Sequence, residues 1–203
     1  AAKLYQAAYE VAEQFGDLRL QTIASCNEAL VLLTLKKYEE AYTAFNKSLK
    51  LVQKLEPEET GIASVLCEIY HGLAVIHLHE GNLDAAWMRA VEALQVAEET
   101  NQPLIKGYAN RTLGEVITEL KESPDSRFSS DPDDYFRASL EYLQEIKADA
   151  EMARTLFAQS ISLAKRGRRT TAAKKLQQVM DMFTKLGMVD DAARAAEAQL
   201  SLM

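Results

Sequence analysis

The stretch Ile69–Glu99, IYHGLAVIHLHEGNLDAAWMRAVEALQVAEE, carries two helical stripes separated by one turn dipeptide. Leu66, Tyr70, Leu73, Ala74 and His77 fall at i, i+4, i+7, i+8 and i+11, which is one face of a helix. Gly81-Asn82 interrupts that face, and both residues tolerate left-handed backbone, so they end a helix and open a turn. A second stripe follows through Leu83, Ala86, Ala90, Ala93, Leu94 and Ala97. Alanine along a contact line lets two helix backbones come close, while Leu83 and Leu94 supply apolar area. Weaker copies of the same pattern lie on both sides, so the chain is expected to fold as a series of helix pairs.

The stretch resembles a tetratricopeptide repeat (TPR). The family pattern has a bulky residue, Leu and a small residue, an aromatic, a turn Gly, then Ala, an aromatic and Ala on the second helix. Tyr70, Leu73, Ala74, His77, Gly81, Ala86, Ala90 and Ala93 occupy those slots, with His77 in place of the aromatic and Ala90 in place of the larger residue. The resemblance implies an all-α, right-handed α-solenoid (superhelix) of antiparallel helix pairs, about ten helices in a single repeat domain spanning 1–203. Comparing Ser48, Ala93, Ser139 and Val179 gives a period of about 40 to 46 residues against about 34 in the family, so the units are long-helix and TPR-like.

Composition agrees. The 203 residues are 48% hydrophobic, with eight Gly and four Pro, which favours helix throughout and no sheet. A net charge of −7 argues against generic nucleic-acid or anionic-membrane binding, since both need a cationic footprint. Two cysteines make no disulfide framework and point to a reduced, cytoplasmic setting. No membrane span or signal peptide is expected. The chain starts without Met and inside a repeat, so an excised piece of a larger protein is expected.

Taken in order, residues 1–15 read as a second-type helix, with Ala1, Tyr5 and Ala8 aligned on Ala86, Ala90 and Ala93. Helices are expected over 18–35 and 38–55, the latter placing Tyr38, Ala41, Phe45, Ser48 and Leu49 on family slots. Glu28 stands where the family usually has Leu, and Pro57 closes the unit. The central pair spans 59–100, and Pro103 opens the next first-type helix, whose Leu113-Gly114 restores the Leu-small pair. Residues 122–132, ESPDSRFSSDP, have loop composition and read as an insertion. Asp131 and Pro132 then cap and start a helix whose FRASLEYLQEI echoes FNKSLKLVQKL. The last pair occupies 150–166 and 169–186, turning at Gly167 with Ala172 on the packing line, and 189–202 closes the array.

In the family the first helices line a concave face. Projection from the repeat slots places Asn27, Glu68, His71, His79, Tyr108, Arg111, Thr112, Glu115, Arg154, Phe157 and Lys165 there. Tyr108, Arg111, Thr112 and Glu115 share one helix face, and Arg111 with Arg154 could grip a carboxylate. The family's clamp for chaperone C-termini is not expected: Asn27 lies near one of its slots, but Cys26 and Leu30 occupy the neighbouring ones.

Other features have plainer readings. Cys67 and His71 have metal-compatible spacing, yet His77 points to the packing line and His79 lies about 80° round from His71; core or surface histidines are the expectation. Lys165, Arg166, Arg168, Arg169, Lys174 and Lys175 read as a solvated edge with helix-end cations in preference to an anchor for an acidic partner. Trp87 reads as a packing residue. No nucleotide-binding, hydrolase or paired-Cys zinc motif is present. The expected function is non-enzymatic protein or peptide binding on the concave face, without cofactor or metal. The chain's LGM…DAARA also resembles TPR regions of multidomain bacterial signalling proteins, which implies a regulatory module. The alternatives are self-association through 1–15 or 189–202, and a receptor for a short peptide or small molecule.

Overall fold

The structure is a computed structural model that describes residues 2–55, 61–100 and 102–202. Ala1, Pro57 and the expected helix start at 59 lie outside the described residues. Among those described, the chain forms ten helices and no strand: α1 (Ala2–Gln14), α2 (Leu18–Thr34), α3 (Tyr38–Val52), α4 (Ile62–His79), α5 (Leu83–Glu99), α6 (Pro103–Leu120), α7 (Pro132–Glu145), α8 (Asp149–Lys165), α9 (Arg169–Lys185) and α10 (Val189–Leu200). They fall into two compact units, Ala1–Asn101 and Gln102–Met203. In the first unit each helix packs on the next, and α2 also touches α4; in the second the same holds for α6 through α10, with α6 touching α8.

Among the described residues one turn recurs six times. At Gly16, Lys36, Gly81, Lys147, Gly167 and Gly187 a residue with positive φ ends a helix. The amide of the following residue reaches back to the carbonyl five positions earlier, as in Asp17 to Ala12, Lys37 to Leu32, Asn82 to His77 and Met188 to Phe183. This pairing satisfies helix-end carbonyls, and the next helix starts at once. Asp17 and Asn82 then cap the following helices by accepting from Leu20 N at 2.9 Å and Ala85 N at 3.2 Å. In α8 and α9, each 17 residues long, successive turns at Lys147, Gly167 and Gly187 are twenty residues apart, which accounts for the long period.

Packing between the helices relies on glycines inside them. A Cβ on Gly72 would stand 2.1 Å from the Phe45 ring, one on Gly107 2.7 Å from Leu143, and one on Gly114 2.9 Å from Phe136. The FNKSL/FRASL echo also has a structural basis: Phe45 and Phe136 are fully buried, and Ser48 and Ser139 donate to Thr22 O (2.9 Å) and Gly107 O (2.8 Å) on the preceding helix. Helix α4 is long and apolar enough, by length and composition alone, to cross a membrane. Here its apolar residues Ile62, Cys67, Ile69, Leu73, Ala74 and Ile76 are buried against the first unit's other helices.

The insertion between α6 and α7 is held by its own side chains. Ser123 N donates to Ser130 Oγ (2.9 Å), Arg127 pairs with Asp125 (2.5 Å), and Tyr135 donates from its hydroxyl to Ser129 O (3.2 Å). Asp131 caps α7 by accepting from Asp133 N at 2.9 Å.

Candidate functional site

The eleven projected residues separate by unit. In the first unit, the Cys26 thiol of α2 meets Glu68 of α4 at 3.8 Å, and burial followed by the Glu68 charge pushes that thiol far up, leaving it inert. Asn27 and His71 are half-buried. His79 stacks on Tyr38 with ring centroids 3.8 Å apart, and His77 meets Tyr42 edge-on at 5.8 Å, so both histidines join α4 to α3. No group of metal ligands forms among the described residues.

In the second unit the projection converges. Arg111 of α6 donates to Glu151 of α8 at 2.8 Å, and its guanidinium lies 5.1 Å from the Tyr108 ring centre. Arg154 bonds the other oxygen of the same carboxylate and reaches Asp191 of α10 at 3.5 Å. Arg194 closes the chain on Asp191 at 3.3 Å and stands 5.6 Å from the Phe157 ring centre. Lys165 pairs with Glu119 across the α8–α6 contact. Three first-type helices are therefore tied by one ladder of charges.

Two projected roles change. Thr112 is 1% exposed and its hydroxyl donates to Tyr108 O at 3.0 Å, so it is a packing residue and not a contact for a partner. Arg111 and Arg154 do grip a carboxylate together, but it is the chain's own Glu151.

The ladder is layered. The side chains of Arg111 and Glu151 are 11% and 13% exposed, whereas Arg154, Lys165 and Arg194 are 47%, 53% and 61% exposed. Arg154, Lys165 and Arg194 stand outward, and Arg111 lies with Glu151 beneath them. Burial pushes the Glu151 carboxyl up, and Arg111 and Arg154 more than offset it, holding it below the usual carboxylate range. Glu115 goes the other way: burial raises it, and the Arg111, Lys165 and Arg194 charges only partly compensate. Its Oε2 is enclosed without a hydrogen-bond partner.

Sequence reasoning missed Glu119, Glu151, Asp191 and Arg194. A signal existed for three of them. Glu151-Met-Ala-Arg154 and Asp191-Ala-Ala-Arg194 repeat an acid three residues before an arginine at a forty-residue offset, and each pair bonds within its own helix. The basic cluster at the α8–α9 turn is partly consumed internally: Arg166 pairs with Asp133 at 2.8 Å and Asp131 at 3.4 Å, and Arg168 with Asp133 at 3.8 Å. Arg166 and Arg168 fasten the start of α7, while Arg169 and Lys174 stand exposed on the edge.

No family model matches the chain, and no curated protein does. Among solved structures the chain is similar to "BtubC (BKLC) from P. vanneervenii", at 14% identity and a TM-score of 0.60 over 99% of this chain and 89% of that one. At that identity the likeness concerns the fold alone.

Proposed function

We propose that the chain is a non-enzymatic TPR-like module that binds an acidic segment of a protein or peptide partner on the α6–α8–α10 face of its second unit. One observation carries the reading: Arg154, Lys165 and Arg194 stand about half exposed or more while the acids they pair with, Glu151, Asp191 and Glu119, are 13%, 20% and 33% exposed, on a chain whose net charge is −7. Tyr108 and Phe157 back two of the four cations with aromatic faces, so a segment laid there meets a structured floor. An incoming carboxylate would share guanidinium and ammonium donors that already point outward, and charged hydrogen bonds of this kind are the stronger class. The resemblance to bacterial signalling proteins supports a regulatory role in a cytoplasmic setting.

The test uses exposed positions. Arg111→Glu would set a carboxylate against buried Glu151 and endanger the fold, so it is unsuitable. Lys165→Glu with Arg194→Glu leaves the buried layer in place. Proteins retained from a lysate by the parent and released by this folded double variant, with binding that weakens as salt rises, support the reading. Retention of the same proteins by both chains overturns it.

A further inference from the structure

The charge ladder of α6, α8 and α10 ties four cations to three acids, and a fourth acid stands inside it without a bond. Arg111 and Arg154 hold Glu151, Arg154 and Arg194 hold Asp191, and Lys165 holds Glu119. Glu115 lies on α6 between Arg111 and Glu119, four residues from each. Its Oε2 is enclosed and has no hydrogen-bond partner.

The charges that act on Glu115 are those of Arg111 on its own helix, Lys165 of α8 and Arg194 of α10. Each of the three is already committed to another acid, so they offer Glu115 a field but no donor. Helix α7 also packs on α6, through Leu143 at Gly107 and Phe136 at Gly114, and none of the charges acting on Glu115 comes from it. An enclosed carboxylate that accepts no hydrogen bond is costly, whereas the neutral carboxyl is much less so. Burial accordingly outweighs the three cations and favours the protonated form.

That proton sets the charge of the whole face. With Glu115 neutral, Arg111, Arg154, Lys165 and Arg194 outnumber Glu119, Glu151 and Asp191 by one, and with Glu115 ionised the two signs are equal. An acidic ligand meets a cationic ladder in the first state and a neutral one in the second. Ligand and proton therefore strengthen each other's binding by the same factor. We infer, on the acidic-partner reading, that Glu115 is the proton-linked control of this face: an acidic segment binds the form whose Glu115 carboxyl is neutral, and its arrival draws a proton onto that carboxyl. Glu115 acts through its charge from within the ladder, while the exposed Arg154, Lys165 and Arg194 meet the segment. One unit of charge a few ångströms from a bound carboxylate changes affinity roughly tenfold.

The test is calorimetric titration of the whole chain with a blocked octa-aspartate peptide, from about pH 4.5 to about pH 9. Glu115→Gln keeps the size of the side chain and removes its titration, and circular dichroism checks the fold. The peptide's carboxylates and His71, His77 and His79 of α4 titrate alike in both chains, so the ratio of the two affinities isolates Glu115. Variant over parent, that ratio is expected to rise from near one at the acid end to roughly ten at the alkaline end. Heats in buffers of different ionisation enthalpy count protons, and the parent is expected to take up more on binding than the variant. Glu115→Met, also without charge, is the second variant and behaves alike. A ratio that does not change with pH, or equal proton uptake by parent and variant, overturns the inference while leaving acidic-partner binding in place. If neither chain binds the peptide at any pH, or Lys165→Glu with Arg194→Glu binds it as tightly as the parent, the acidic-partner reading fails and the control falls with it.

Discussion

Gly72 lies inside a helix, where alanine normally gains about 1 kcal/mol. Here the added carbon would meet the Phe45 ring at 2.1 Å, and Phe45 is itself fully buried. Gly72→Ala is expected to lower stability by about 2–3 kcal/mol, read from a urea midpoint. Glu115 makes a prediction of the opposite kind. Burial raises its carboxyl above its ordinary value of 4.5, so the folded state keeps a proton that the unfolded state releases. Its contribution to stability therefore falls as pH rises from about 4.5 to the raised value. Glu151 is depressed, so its contribution is present above the ordinary carboxylate range and is lost as pH falls below it. Glu115→Gln is expected to match the parent in acid and to gain on it steadily towards neutral pH in urea titrations. A difference that does not change with pH would contradict the burial argument.

At the scale of the helix and its turn, most boundaries were legible because Gly16, Gly81, Gly167 and Gly187 mark them. Lys36 and Lys147 were not legible as turn positions, since lysine carries no left-handed preference, yet they sit at φ 59 and φ 54. Lys147→Gly is expected to raise stability by about 1 kcal/mol, the relief of that backbone less the entropy glycine adds to the unfolded chain. Thermal unfolding checks it, with Lys36→Gly as a second case. The echo between FNKSL and FRASL was readable as repetition, while its cause, a serine bonded across to the preceding helix, needed the packing. In the same way nothing in the sequence marks Gly72 and Gly107 as packing positions. Nothing local says which distant ring or leucine fills the space above them. The ion ladder was half legible: helix periodicity selects the outward face that holds Arg111 and Arg154. Which acids reach them depends on how α6, α8 and α10 lie against one another.

For the molecule as a whole, contacts between near neighbours within each unit predict graded and not uniform stability. In hydrogen exchange followed by mass spectrometry, Gly72→Ala is expected to speed exchange within 2–55 and 61–100 far more than within 102–202. Equal acceleration throughout would mean that the chain opens as one cooperative block. The repeated turn has a consequence of parity. Each module of a seventeen-residue helix and its turn sends the chain back the way it came. Excising or duplicating α8 and α9 together, forty residues, would leave everything downstream running in its present direction, with its faces in phase. Removing one alone would reverse it, exchanging first-type and second-type helices from that point on. Insertions and losses in such a chain are tolerated in even numbers of helices, so its natural unit of change is the pair.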